Sequence, residues 1–433
     1  MIRHFGIIRD SYQHDHTKWD KHPHPSSTPP THPSSQQPHT SPPDAIFALT
    51  AKYLNDTSPQ KVNLGQGTYR DEQGNPWILP SVRKSREILT AQNVNHEYLP
   101  ILGHAGFRKA ATRLALGERI FNELESKIAI CQSLSGTGAL HLAALLLRYS
   151  QSPLPEVLIP QPTWSNHHQV FSSLGFKCQS FQYYDSSRRD LDFESYISTL
   201  RSATPHSIVI LHACAHNPTG CDPSKEQWRE IGRVIKERRL FPLFDSAYLG
   251  FNSGNVDDDA FAIRYFVDEL KLEVGGCLSF AKNMGLYGER VGCVFIITKT
   301  DDTARNTQSV LEMLQRSEVS NPPAYGAKIA ATILDDDKLR QMWYDDLITM
   351  SSRIRSMRQE LYNYLIQFGA RGTWDHLIRQ SGMFGFLGLS SEVVVRLREE
   401  YHIYMADNSR ISIAGLNPGN VEYVARSIAE CLK

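Results

Sequence analysis

The chain has 433 residues, enough for one large core with a satellite domain or for two ordinary domains. Hydrophobic residues make up 41% of it and 46 Lys+Arg balance 46 Asp+Glu, so it reads as a soluble globular protein with no electrostatic reason to expect nucleic acid or a membrane surface as partner. No apolar run approaches the roughly 18 residues of a membrane-spanning helix. The cysteines (131, 178, 214, 221, 277, 293 and 431) are odd in number and contain no C-x-x-C pair, so neither a disulfide framework nor a metal site is indicated and a reducing compartment is expected.

Residues 1–43 differ in kind from the rest. From His22 to Pro43 every residue is Pro, Ser, His, Thr or Gln, a composition that cannot bury enough apolar surface to offset the entropy of ordering, and the extension is expected to be disordered. Weak metal binding by its histidines is the functional alternative, but no helix or strand fixes them into a coordination geometry. The opening "MIRHFGIIRDSY" raises a mitochondrial address, against which stand its acidic residues and its scarcity of arginine. The expected compartment is the cytoplasm, with the mitochondrion as alternative.

From Asp44 the chain alternates short apolar runs with helical patterns. "KIAICQSLSGTGALHLAALLL" reads as a strand from Ile128 to Cys131, a Ser/Gly-rich loop and a buried helix. "EVLIPQPTW", "SIVILHACAHNPTG", "LFPLFDSAYLGF", "GGCLSFAKN" and "GCVFIITKT" supply further strands. In "SKEQWREIGRVIKERR", Ser224 and Gln227 fit a capping box, and Trp228, Ile231, Val234 and Ile235 line one helical face. Strands alternating with amphipathic helices predict an α/β fold with a mainly parallel sheet, in which ligands gather at the carboxyl ends of the strands.

The unusual polar residues fall at those ends. Ser135, Gly136 and Thr137 sit between a strand and a helix, where free backbone amides and the helix dipole can hold a phosphate; alone, the segment fits an ordinary tight turn equally well. Asp245 follows the apolar "LFPLF", and Lys282 follows "GGCLSF" with Arg290 eight residues on. Singly, they read as a loop-capping carboxylate and a solvated lysine. Together they suggest pyridoxal phosphate: an amine for the aldehyde, a guanidinium for the phosphate and an anion to keep the pyridine nitrogen protonated.

At this level of detail the chain resembles the aspartate aminotransferases, fold-type I pyridoxal phosphate enzymes with a large α/β domain and a smaller one. The matching phrases run in family order from about residue 44 to the C-terminus: "KVNLGQGTYRDEQGNPWILPSVRK", "HEYLPILG", "QSLSGTGAL", "PTWSNHHQVF", "LHACAHNPTGCDPSKEQW", "FDSAYLGF", "SFAKNMGLYGERVG", "SNPPAYGA", "GMFGF" and "SRISIAGLN". The resemblance implies that Lys282 is the Schiff-base lysine and proton shuttle, Asp245 the pyridine-nitrogen partner and His167 its support. It implies Tyr248 and Asn217 on the ring's phenolic oxygen, Trp164 stacked on the ring, and Ser135, Gly136, Thr137, Ser279 and Arg290 around the phosphate. Tyr98 would reach the phosphate from the second subunit of a homodimer.

For the substrate, the resemblance implies Arg410 on the α-carboxylate beside Gly67, and Arg316 of the neighbouring subunit on the side-chain carboxylate. A dicarboxylate satisfies both arginines, which makes the expected reaction the exchange of L-aspartate and 2-oxoglutarate for oxaloacetate and L-glutamate. Several positions depart from the family pattern: Gln66 for a small apolar residue, Val319 for a tryptophan, Gly385 for a serine and Leu249 for a glutamine. Ala281 looks like the mitochondrial branch and Ser246 like the cytosolic one. An aromatic or other amino-acid transaminase with an altered pocket is therefore the rival, ahead of a decarboxylase or lyase and of a scaffold without activity. The expected division is residues 44–76 with 346–433 as the small domain and 77–345 as the large one.

Overall fold

The computed structural model describes residues 44–433, so the expected disorder, metal binding and import address of residues 1–43 lie outside the described residues. A seven-stranded sheet organises the fold. Its strands in chain order are β1 (Ile128–Leu134), β2 (Val157–Gln161), β3 (Cys178–Gln182), β4 (Ile208–His212), β5 (Phe241–Ser246), β6 (Gly275–Ser279) and β7 (Val291–Ile297). In space they run β1-β7-β6-β5-β4-β2-β3, and every pair is parallel except the two made by β7. Because β7 runs against its neighbours, its first residue lies at the edge where the other strands end: Val291 is opposite Leu134, and Gly292 is opposite both Ser133 and Ser279.

The sheet is covered on both faces, which is why its strands read as continuous apolar runs rather than alternating ones. Along β1, Ala129 and Cys131 join one core cluster and Ile128 and Ile130 the other, as successive side chains point to opposite faces. One cluster is closed by helix α1 (Ser135–Ser150) through Leu140, Ala143 and Leu147. The other takes Trp228, Ile231, Val234 and Ile235 of a helix that we number α3 (Lys225–Arg238), α2 being Asn166–Ser173. Each large apolar side chain so buried contributes roughly 1.5–3 kcal/mol. Gly275 and Gly276 of β6 make room for large neighbours: a Cβ on Gly276 would lie 2.2 Å from the Phe295 ring.

One boundary differs from expectation. The strand expected to stop at Cys131 continues to Leu134, and the expected Ser/Gly loop is instead the first turn of α1. Pairing with β7 continues to Leu134, and Ser135, at φ +60°, makes the turn within one residue.

Beyond the sheet, α4 (Asp301–Glu318) leads to α5 (Asp337–Gln367), whose 31 residues span about 46 Å. Helix α5 ties distant segments together: Trp343 Nε1 donates to the Asn283 carbonyl at 2.7 Å, and Arg353 donates to the Arg70 carbonyl. Two short ladders lie outside that sheet, the first joining an early segment of the described residues to the C-terminal region. Val62–Asn63 pairs in parallel with Ile403–Tyr404, and Phe384–Phe386 pairs antiparallel with Arg410–Ser412.

Helix α3 begins with the capping box read from sequence, Ser224 and Gln227 each accepting from the other's backbone amide. Ser224→Ala is expected to cost about 1 kcal/mol of stability in a urea titration while leaving activity intact. An unchanged unfolding midpoint would mean that the cap adds nothing to α3.

Candidate active site

Three chain segments converge at the carboxyl edge where β1, β6 and β7 meet. The Ser135 and Ser279 hydroxyls lie 2.9 Å apart, Ser279 Oγ accepts the Ala281 amide at 3.3 Å, and the Ser135 amide donates to the Arg290 carbonyl at 3.1 Å. Ser135 and Arg290 both hold left-handed backbone, at φ +60° and +53°. Gly292 permits the approach, because a Cβ there would sit 2.4 Å from the carbonyl carbon of Ser135. Gly136 and Thr137 follow in the first turn of α1, so two hydroxyls and the amides of a helix start share one corner, which Arg290 joins through its backbone carbonyl while its exposed guanidinium donates to the Tyr287 carbonyl at 3.0 Å, a set of groups suited to a phosphate.

Next along the edge is Asp245, in β5. Its Oδ2 accepts from His167 Nε2 at 3.0 Å, His167 Nδ1 is 2.8 Å from Thr163 Oγ1, and the same hydroxyl is 3.1 Å from His212 Nε2. The Asn217 amide donates to His212 Nδ1 at 3.4 Å. That last bond fixes the tautomer of His212 and with it a directed chain: His212 Nε2–H to Thr163, Thr163 O–H to His167 Nδ1, and His167 Nε2–H to Asp245. Burial alone would raise the Asp245 carboxyl, but the hydrogen bond from His167, aided by nearby His212 and Lys282, holds it below the usual carboxylate range. Burial, with neighbouring His216 and His167, pushes His212 well below the usual histidine value. Trp164 stands edge-on to His167 at 5.5 Å between ring centroids.

Lys282 follows β6, with its Nζ 5.5 Å from the centre of the Tyr248 ring. Burial pulls its ammonium below the ordinary lysine value; the Asp245 charge opposes that shift and Arg290 adds to it. The turn after Lys282 is anchored on both sides, by Asn283 Nδ2 donating to the Leu249 carbonyl at 3.1 Å and by the Trp343 bond from α5. Tyr248 is buried, which raises its hydroxyl and keeps it protonated. Its turn is set by Asp259, whose carboxylate accepts the Gly250 amide at 2.8 Å.

Arg410 opens the strand that pairs with Phe384–Phe386. Its Nη2 donates to the Gly65 carbonyl at 2.6 Å, and its guanidinium lies 4.5 Å from the Phe384 ring. Gly67 abuts the same ring, a Cβ there falling 2.8 Å from Phe384 Cζ. Burial pulls the Arg410 guanidinium down, and the charges of nearby Tyr248 and Asp44 oppose that shift. The Tyr69 amide donates to the Tyr287 hydroxyl at 2.8 Å, which binds the Gly67 segment to the loop after Lys282.

Two sequence-derived residues stand apart. Tyr98 is 81% exposed, on a groove of about 660 Å³ lined also by Asn321, Pro322 and Tyr325. Arg316 is exposed on the last turn of α4 and donates to Ser320. Conversely, Thr163, His212 and Asp259 had no assigned role. A signal for His212 was present in "LHACAHN", two histidines four residues apart at a strand's end; for Asp259 there was none.

The cluster fits pyridoxal phosphate by its unmet polar groups. Among the described residues, Lys282 Nζ, the Tyr248 hydroxyl, the Asn217 side-chain amide and the second Asp245 oxygen have no hydrogen-bond partner. An amine, two donors and an anion left free beside a phosphate corner match the aldehyde, phenolic oxygen, ring nitrogen and phosphate of that cofactor. Gly292→Ala is expected to push Ser135 off this corner, weakening cofactor affinity at least about tenfold and costing about 1–3 kcal/mol of stability. Cofactor titration of the reconstituted protein checks this, and wild-type affinity would contradict it.

Comparison with known proteins agrees with the geometry. Residues 59–428 match the family described as Aminotransferase class I and II. The mitochondrial aspartate aminotransferase of Dictyostelium discoideum is 46% identical over 393 residues, covering 90% of this chain and 92% of that protein. The crystal structure of aspartate aminotransferase from the cytoplasm of Saccharomyces cerevisiae superposes with a TM-score of 0.87 at 41% identity, covering 92% of this chain and 98% of that one. The aromatic-amino-acid aminotransferase of Burkholderia pseudomallei, covalently bound to pyridoxal phosphate, superposes at 0.89 with 38% identity, covering 92% and 100%. The chain thus belongs to the class I and II aminotransferases, and is a pyridoxal phosphate-dependent transaminase of amino acids and 2-oxo acids.

Proposed function

We propose that this transaminase moves the amino group of L-aspartate to 2-oxoglutarate in a ping-pong cycle, releasing oxaloacetate and then L-glutamate. The observation that carries the reading is Arg410. It is partly buried, stacked on Phe384 beside Tyr248, and forms no salt bridge among the described residues, although the Asp44 charge acts on it. A desolvated guanidinium without an anion is unfavourable, and a ligand α-carboxylate relieves that cost. The dicarboxylate preference adds Arg316 of the partner subunit, whose exposure on this chain, like that of Tyr98, supports a homodimer with shared sites. The pairing of residues 62–63 with 403–404 supports a small domain built from residues 44–76 and 346–433, beside a large domain of 77–345. The seven unpaired thiols support a reducing compartment, the cytoplasm in this reading.

When bound, pyridoxal phosphate supplies the electron sink that acidifies the α C–H of an amino acid. The chain's residues do the rest. Lys282 would anchor the cofactor aldehyde and, as the free amine, would take the α proton at Nζ; its desolvation raises the share of neutral amine available as base. Asp245, kept anionic, would hold the proton on the ring nitrogen, with His167 fixing the carboxylate's orientation. Tyr248 and Asn217 would donate to the phenolic oxygen, and Trp164 would cover the ring. Ser135, Gly136, Thr137, Ser279, Arg290 and Tyr98 of the partner subunit would hold the phosphate. Gly67 leaves room for the substrate against Phe384.

Structural neighbours include an aromatic-amino-acid aminotransferase, so phenylalanine is the informative control. The purified protein is expected to show a cofactor band that aspartate bleaches and phenylalanine does not. Arg316→Ala should raise KM for aspartate by roughly 100-fold or more while leaving the band in place. Bleaching by phenylalanine alone would move the assignment to an aromatic transaminase.

A further inference from the structure

A second polar cluster is buried where residues 213–222 meet residues 376–386. Arg358, on α5 and 3% exposed, spends its guanidinium on backbone: Nη1 donates to the Leu377 carbonyl at 3.2 Å, and Nη2 to those of Ser381 at 3.0 Å, Gly382 at 2.9 Å and Phe384. Asp222 binds the other side, accepting the Ala215 and His216 amides at 2.7 and 2.8 Å and the Ser381 hydroxyl at 3.1 Å. Ser381 joins the halves, its own amide donating to the Gly220 carbonyl at 2.8 Å. The backbones touch without intervening side chains. A Cβ on Gly220 (φ +67°) would lie 2.7 Å from the Phe384 carbonyl, and one on Gly382 (φ +75°) 2.5 Å from Ala215 Cβ. Burial raises Asp222 and lowers Arg358 to about 10, and their attraction opposes both shifts.

What this cluster holds is the site. Asn217 lies between His216 and Gly220, and Phe384 both stacks on Arg410 and opens the strand that pairs with it. We propose that Asp222, Ser381 and Arg358 form a clasp of positioning residues that fixes Arg410 relative to Asn217, registering the substrate's α-carboxylate against the cofactor ring. The inference rests on the reading of Arg410 given above.

Beside the clasp some polar atoms are left unpaired, Arg358 Nε among them. Gln380 is 4% exposed, yet neither its side-chain oxygen nor its nitrogen has a partner. Gly385 is where one would come from: a Cβ there would lie 2.9 Å from Gln380 Oε1 and 3.2 Å from Arg358 Nη1. A serine at 385 brings a hydroxyl to the Gln380 amide once that flexible side-chain end shifts to clear the new Cβ.

Steady-state kinetics of the holoenzyme tests the clasp with Ser381→Ala, Asp222→Asn, Gly385→Ser, Arg410→Lys and the Ser381→Ala/Arg410→Lys pair. Sub-ångström displacement of a carboxylate clamp predicts that Ser381→Ala raises KM for donor and acceptor about 5- to 10-fold, with kcat within about twofold and the cofactor band unmoved. Asp222→Asn should do more, and Gly385→Ser should lower KM. If the clasp acts through Arg410, the Ser381→Ala effect shrinks in the Arg410→Lys background. An unchanged KM, an effect of equal size in both backgrounds, or a Gly385→Ser that raises KM overturns the clasp. Should Asp222→Asn fail to fold, Ser381→Ala, which removes a single hydroxyl, still decides. Arg410→Lys with wild-type KM instead overturns the assignment of Arg410 itself.

Discussion

The ionised carboxylate of Asp245 is the group on which the site depends. Burying an isolated carboxylate costs several kcal/mol, and the usual escape is protonation. Here His167 prevents it, and His167 is aimed by Thr163, which is aimed by His212, which takes its direction from the Asn217 backbone. The anion is thereby tied, bond by bond, to the loop that carries Asn217. The same negative charge partly offsets the desolvation of Lys282, so base and ring partner are tuned together.

Topology brings the rest to that point. A wholly parallel sheet would leave Arg290 at the opposite edge from Ser135 and Ser279. The reversal of β7 returns its first residues to the carboxyl edge, and Gly292 lets the two backbones close. Helix α5 then spans from Trp343, behind the lysine turn, to Arg358, which holds the segment leading into the strand that pairs with Arg410–Ser412. One helix thus backs both the lysine turn and the Arg410 ladder.

Much of this was legible in the sequence, unevenly. The α/β class, the capping box at Ser224 and the placement of Asp245 and Lys282 at strand ends follow from period and pattern, which are local. The reversal of β7 was not legible, because "GCVFIITKT" reads as a buried strand in either direction. Ser135 was read into a loop because serine and glycine favour loops, whereas sheet pairing carried the strand to its edge. Tyr98 and Arg316 are exposed, and their assignment to a shared site came from the resemblance rather than from any local pattern. Arg358 and Asp222 escaped notice since a charge on a helix face and one in a loop look solvated until the fold encloses them.

The central claim is that Asp245 stays anionic and so keeps the ring nitrogen of the bound cofactor protonated. Its carboxyl is depressed in the folded protein, so the anion persists as pH falls through the ordinary carboxylate range. The direct measurement is the 15N chemical shift of ring-labelled pyridoxal phosphate in the holoenzyme between about pH 5.5 and 8.5, a window above the usual carboxylate values. A protonated-nitrogen shift, constant across the window and lost in Asp245→Ala, is the predicted result. An unprotonated ring nitrogen at neutral pH in the wild-type protein would contradict the account.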